Sequence, residues 1–162
     1  MSGRDFEPAY LSGVNWGLSA TVQVHRLANI ACTEFIAGEN CRIDAFVTLT
    51  GSIRLGANCH ISTGSVVIGG HGFEMGDGCA LSPGVKVFTA TDDMDSGYLA
   101  SFSGGLEHRA YKGGPVKFGK YVVIGANSVV LPKLEIGDEV QVGALSLVNR
   151  SLEGHGIYAG VP

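Results

Sequence analysis

Basic charge is scarce in this sequence: 11 lysines and arginines stand against 15 aspartates and glutamates, a formal net charge of −4 over 162 residues. That balance leaves no cationic footprint for a nucleic acid, and without a polybasic run nothing is there to hold an anionic membrane surface. No apolar stretch reaches the length of a bilayer span, and no basic start followed by an apolar segment reads as a leader. Cysteine is sparse too. Cys32, Cys41, Cys59 and Cys79 include no pair at the Cys-x2-4-Cys spacing of a zinc knuckle. They read as small buried thiols, and a reducing cytoplasm is the compartment consistent with them.

What the chain has in excess is glycine, 25 residues of it, within a composition that is 45% hydrophobic. The glycines recur with a period instead of forming a low-complexity tract, which argues for one compact domain over residues 1–162. Phe118, Ile124, Val130, Ile136, Val142 and Val148 occupy every sixth position, and Gly119, Gly125, Gly137 and Gly143 follow four of them. The same beat runs through Ile43, Leu49, Leu55, Ile61 and Val67, with Ala37 ahead of them, and after two extra residues it resumes at Met75, Leu81 and Val87. So short a period excludes helix pairs and propeller blades. It fits the hexapeptide repeat of a parallel β-helix, in which each six-residue unit forms one flat side of a coil.

Residues that break the beat cannot enter the packed coils, so they are extruded as loops, often on the binding face. Two places break it: Gly69-Gly70-His71-Gly72, and the excursion over residues 91–114. Residues 1–21, with Tyr10, Leu11, Trp16 and Leu18, read as a cap on the open first coil. The coils are expected from Val22 to Phe88 and again from about Val116, and residues 151–162 are expected to leave them. Apolar side-wall residues such as Val66, Ile68, Val129 and Leu131 need a covering partner. Cyclic association supplies one, and a homotrimer is expected.

The hexads, the phrase Ile124-Gly125-Ala126-Asn127-Ser128-Val129-Val130-Leu131-Pro132 and the ending Gly156-Ile157-Tyr158-Ala159-Gly160-Val161-Pro162 resemble the hexapeptide-repeat acyltransferases. That resemblance implies an all-β, left-handed parallel β-helix, a hand that periodicity does not give. Asn58-Cys59-His60-Ile61-Ser62, Thr91-Asp92-Asp93 with Ser96-Gly97-Tyr98, and Leu145-Ser146-Leu147-Val148-Asn149-Arg150 look like the maltose, galactoside and O-antigen type of sugar acetyltransferase. The activity so implied is transfer of acetyl from acetyl-coenzyme A to a hydroxyl or amine of a sugar or nucleotide sugar, in lipopolysaccharide or other surface polysaccharide synthesis, at a site between trimer subunits. It also implies that Gly125, Ala126, Gly143 and Ala144 line the pantetheine slot, with Asn149 and Arg150 at the nucleotide end of the coenzyme. Galactoside-type enzymes carry their histidine base in a Gly-His-Pro phrase at the start of the extruded loop; the aligned residues here are Ala90-Thr91-Asp92.

Attack on a thioester needs a base for the acceptor proton and donors for the oxyanion. Imidazole suits the first task at neutral pH, and a carboxylate beside it fixes its tautomer. His60 is the expected base, with Asp92 or Asp93 orienting it across the cleft; Ser62, His71 and Tyr98 are expected on the acceptor, and His108 is a further candidate. Asp92-Asp93-x-Asp95 lacks the rest of a calcium-loop spacing, and no metal is expected. Two other functions fit the fold. One is a non-catalytic trimeric scaffold. The other is a γ-type carbonic anhydrase, which needs three histidines around zinc, whereas His60 and His71 do not step by whole coils of about 18 residues.

Overall fold

The computed structural model describes residues 6–7, 15–98 and 110–162, and all regular structure among them is β. Each hexad makes one short strand in which two residues point inward and the residue between them points out, as the two-residue period of a strand requires. Cys59 and Ile61 are such an inward pair, and Phe73 and Met75 are another. The chain then turns through a corner residue, often one with positive φ, and the next strand forms the next wall. Three walls close a coil. Successive coils stack eighteen residues apart, as the side-chain hydrogen bond between Asn40 and Asn58 records.

Wall 1 carries the parallel strands Gln23–His25, Arg42–Ile43, His60–Ile61, Ala80–Leu81, Val123–Ile124, Gln141–Val142 and Ile157–Tyr158, in that order, with Phe6–Glu7 antiparallel on the first of them. Three long strands, Asn29–Ala37, Thr48–Leu55 and Val66–Met75, pass through the corner between walls 2 and 3 and belong to both. Wall 2 continues through Lys86–Phe88, Val129–Val130 and Leu147–Val148. Wall 3 continues through Val116–Phe118 and Leu134–Ile136, and Leu152 bridges to Ile136.

The interior is a set of columns. Ile43, Ile61, Leu81 and Ile124 stack in one, fully buried, and Cys41, Cys59, Cys79, Val122 and Val140 in the next. Burial explains the cysteines: their thiols donate to corner carbonyls, Cys41 to Gly56, Cys59 to Gly76 and Cys79 to Gly119, at 2.9 to 3.1 Å. The described cysteines are all free thiols. Ser65, Ser128 and Ser146 do the same on wall 2, each hydroxyl bonded to a backbone carbonyl. An inward polar atom is tolerated because the corner supplies its partner.

The coils extend further than the hexad count places them. Asn15–Leu18 pairs in parallel with Glu34–Ala37, and Trp16 packs edge-on against Phe35 with ring centroids 5.3 Å apart. Trp16 and Leu18 therefore belong to the first rung of wall 3; Tyr10 and Leu11 lie outside the described residues. At the other end, Leu152 and Tyr158 keep register with Ile136 and Val142, so residues 151–162 continue the stack in a shortened coil. Two bulges interrupt the long strands. One falls between Cys32 and Glu34, which the hexad count misses, and the other holds Gly70, His71 and Gly72. The excursion leaves at Thr89 and returns at Val116, beginning and ending in a hairpin of Ala90–Asp92 against Tyr111–Gly113.

Candidate functional site

On wall 1 the outward residues on either side of the buried Ile43, Ile61 and Leu81 form two parallel lines. Arg42, His60 and Ala80 make one, and Asp44, Ser62 and Ser82, at the edge between walls 1 and 2, make the other. Parity alone brings His60 and Ser62 to the same side. Parallel stacking then sets Asp44 one coil below Ser62, diagonal to His60. His60 Nε2 lies 2.8 Å from Asp44 Oδ2, and Arg42 Nε donates to Asp44 Oδ1 at 2.7 Å.

Burial works against ionisation of Asp44, yet the hydrogen bonds from Arg42 and His60, with their charges, outweigh it and hold the carboxyl below its ordinary range. The carboxylate thus stays an acceptor. The proton between it and the ring belongs to Nε2, which leaves the Nδ1 lone pair as the basic position. The imidazole is 44% exposed and its partner carboxylate 19%, so the ring is open to a ligand while its support is covered.

Asp44, not Asp92 or Asp93, is the carboxylate that holds His60 within the chain. The hairpin leaves the prism at the edge between walls 2 and 3, whereas His60 sits on wall 1. Asp93 is engaged where it stands: its Oδ1 pairs with Lys112 Nζ at 2.8 Å and accepts from the Asp95 amide. The Lys112 bond holds the Asp93 carboxyl low, against the opposing effect of burial. Asp92 lies opposite Tyr111 in the hairpin. His71 joins this second cluster, its amide donating to Thr89 Oγ1 and its ring stacked on Tyr111 at 5.6 Å and 29°. Tyr98 stands exposed at the end of the described part of the loop, its amide on Ser96 Oγ. His108 lies outside the described residues.

Two clusters therefore occupy two edges: Arg42, Asp44, His60, Ser62 and Ser82 on one, and His71, Asp92, Asp93, Tyr111 and Lys112 on the other. Among the described residues no three His, Cys, Asp or Glu side chains come together as they would around a metal ion. His25 accepts from the Leu27 amide and His155 pairs with Glu139 at 3.3 Å.

Beyond Ser82 the first edge continues through Gly125-Ala126 and Gly143-Ala144, stacked by the bonds Gly125 N to Val142 O and Leu145 N to Ala126 O. The polar line gives way here to bare backbone. Gly125 is glycine for a reason inside the fold, since a Cβ there would lie 2.4 Å from the Ala144 amide nitrogen. Packing between coils thus calls for glycine here independently of the close ligand approach that the sequence suggests. Asn149 and Arg150, both exposed, border a cavity of about 200 Å³ at the end of wall 2 with Ser146, Tyr158 and Pro162.

The family described as the hexapeptide repeat of succinyl-transferase matches residues 36–69 and 115–147. The chain is 28% identical over 134 residues to a dTDP-4-amino-4,6-dideoxy-D-glucose acyltransferase of Escherichia coli, covering 81% of this chain and 70% of that one. To the galactoside O-acetyltransferase of Escherichia coli K12 it is 24% identical over 132 residues, 77% of this chain and 59% of the relative. Among solved structures, the N-acyltransferase AntD of Bacillus cereus, in complex with dTDP and 3-hydroxybutyryl-CoA, superposes with a TM-score of 0.84 at 33% identity, over 91% of this chain and 79% of its own. AntD has also been solved with coenzyme A in variants altered at one serine or one aspartate.

Proposed function

The chain belongs to the hexapeptide-repeat acyltransferases, a family of left-handed parallel β-helices, and on that premise we propose that it moves an acetyl or similarly short acyl group from coenzyme A to the amino group of a nucleotide-linked amino sugar. The observation that carries this reading is the single edge on which Asp44, His60, Ser62 and Ser82 give way to Gly125-Ala126 and Gly143-Ala144. A base lies at one end, and a narrow backbone-lined track suited to a pantetheine arm lies at the other. The similarity to enzymes named for a dTDP-linked amino sugar favours an amine over a free sugar hydroxyl. The serine and aspartate altered in the AntD variants stand ten residues apart, as Ser82 and Asp92 do, and this supports a role for both.

Those two residues sit on different edges of one chain, and the walls suggest how they meet. Wall 3 is lined by Glu34, Arg54, Glu74, Lys117 and Glu135 and suits solvent. Wall 2 presents Val66, Ile68, Phe88, Val129, Leu131 and Leu147, all half-buried. A cyclic trimer with wall 2 turned inward buries that surface and sets the first edge of one copy against the second edge of the next. Asp92, His71 and Tyr98 then approach the His60 of the neighbour.

In that cleft the acceptor nitrogen attacks the thioester carbonyl carbon while Nδ1 of His60 takes its proton. Asp44 remains ionised and stabilises the imidazolium so formed. The Ser82 hydroxyl is the donor placed for the oxyanion, and Asp92 from the neighbour holds the amino group. As the carbon–sulfur bond breaks, His60 returns the proton to the departing coenzyme thiolate. Coenzyme A follows the Gly125 and Gly143 track, with Arg150 at its phosphates. Free buried thiols suit the cytoplasm, and the acylated sugar suits surface polysaccharide assembly.

The test offers acetyl-coenzyme A with dTDP-4-amino-4,6-dideoxyglucose, with the corresponding 4-hydroxyl nucleotide sugar, and with free galactosides. Transfer to the first is expected to dominate; transfer confined to free galactosides overturns the amine assignment. Coenzyme A held at 100 times its dissociation constant adds about 2.7 kcal/mol of stability. A protein with no shift and no transfer is a scaffold.

A further inference from the structure

We infer that Phe46 is a platform on which the ring of the acceptor sugar stacks; the inference rests on the sugar-acyltransferase reading and adds a subsite to it. Phe46 holds φ at 60° and is 66% exposed. A bulky side chain rarely adopts that left-handed conformation, and an aromatic ring left in water gains nothing from burial. The equivalent corner residues of later coils are Gly64, Gly84 and Asn127, types that adopt positive φ cheaply, and then Leu145, on the coenzyme end of the edge. Phe46 therefore carries two local penalties that glycine at the same corner avoids. Tyr121 and Leu145 share that combination at other corners, and what sets Phe46 apart is its place beside the Asp44–His60 pair.

Its position says which use. Phe46 follows Asp44 by two residues, on the edge whose carboxylate holds His60 Nε2 at 2.8 Å. On the adjacent coil the corner is Gly64, which has no side chain to lay over the ring, and an added Cβ there would meet nothing within 4 Å. On the preceding coil Leu27, whose carbonyl accepts from the Phe46 amide, extends the apolar surface. Adjacent coils are about 4.8 Å apart, roughly the width of one pyranose. A sugar whose C–H face lies on Phe46 thus presents a ring substituent to His60. The mostly apolar face of a deoxyhexose matches an exposed phenyl ring better than a diphosphate or a pantetheine does.

The test compares wild type with Phe46→Gly and Phe46→Trp. Phe46→Gly is expected to melt higher, because it removes the left-handed strain, and to keep the same assembly by mass measurement. Its KM for dTDP-4-amino-4,6-dideoxyglucose should nevertheless rise about 10-fold, with coenzyme A affinity unchanged, a loss of the size of one stacking contact. Phe46→Trp should keep that KM within about 3-fold, since the larger ring preserves the stack. An unchanged KM in Phe46→Gly overturns the inference, and so does a dissociated assembly, which would make Phe46 a subunit contact. A second arm needs no catalysis: the sequence has one tryptophan, so a Phe46→Trp emission change on adding the nucleotide sugar, absent in wild type, supports the platform. Silence toward that nucleotide sugar and toward free hexoses overturns it. Failure of the wild type to bind coenzyme A would instead count against the acyltransferase reading.

Discussion

Asp44 and His60 are sixteen residues apart in sequence and 2.8 Å apart between Oδ2 and Nε2. The coil step of eighteen explains the pairing: two outward residues of one wall that differ by one coil less two positions lie diagonally across adjacent rungs. Arg42, on the strand that leads into Asp44, fixes the other carboxylate oxygen at 2.7 Å. His60 is thereby held in one tautomer, with the Nδ1 lone pair left open for the role of base proposed above.

Replacing His60 with alanine is expected to lower kcat at least ~100-fold while leaving coenzyme A affinity intact, because in the proposed mechanism the ring serves proton transfer and not coenzyme binding. Steady-state kinetics and a coenzyme titration check it. An unchanged kcat would move the base to His71 or Asp92.

Asp44→Asn should lose activity with a characteristic stability profile. The Asp44 carboxyl is held below its ordinary pKa of roughly 3.9 in the folded protein, so its pairing contributes stability above that pH and loses it as pH falls through the folded value. The difference in melting temperature between wild type and Asp44→Asn is therefore expected to be constant near neutrality and to shrink below about pH 4. A difference that grows in acid would contradict the ion-pair assignment.

Gly125→Ala is expected to destabilise by about 1–3 kcal/mol, since the added Cβ meets the backbone of the next coil, which cannot step aside alone. Denaturant titration measures it. A neutral result would mean that packing does not require glycine at this position.

Tyr111→Ala should loosen the hairpin without unfolding the prism, because Tyr111 is exposed and its ring contact is the stack on His71. Hydrogen exchange of residues 90–92 and 111–113 is expected to accelerate while the coil amides keep their protection. Faster exchange throughout would place Tyr111 in the core's cooperative unit.

The six-residue beat made the prism legible, since Ile43, Leu49, Leu55, Ile61, Val67, Leu81, Val87 and Ile124 are all buried where it puts them. His60 and Ser62 were legible as an outward pair for the same reason. Asp44 and Ser82 were not, because their place depends on how rungs align across coils, a property of register and not of any local motif. The loop acidic residues drew attention instead, being unusual in composition, yet the hairpin carries them to another edge and Lys112 holds Asp93 there. Trp16, Leu152 and Tyr158 do not read as rung residues in the sequence because a bulge at one end and a short coil at the other shift the count.

The proposed cleft is shared by two copies, with His60 from one and Asp92 from the next. Coexpression of His60→Ala and Asp92→Asn, each expected to be nearly inactive alone, tests that sharing directly through the kcat of the purified mixed assemblies. Random mixing in a cyclic trimer leaves about one site in four with both native residues, so roughly a quarter of wild-type turnover is expected. Mixed assemblies no more active than the two parents would place both residues in one chain's site, or outside it, and contradict the account.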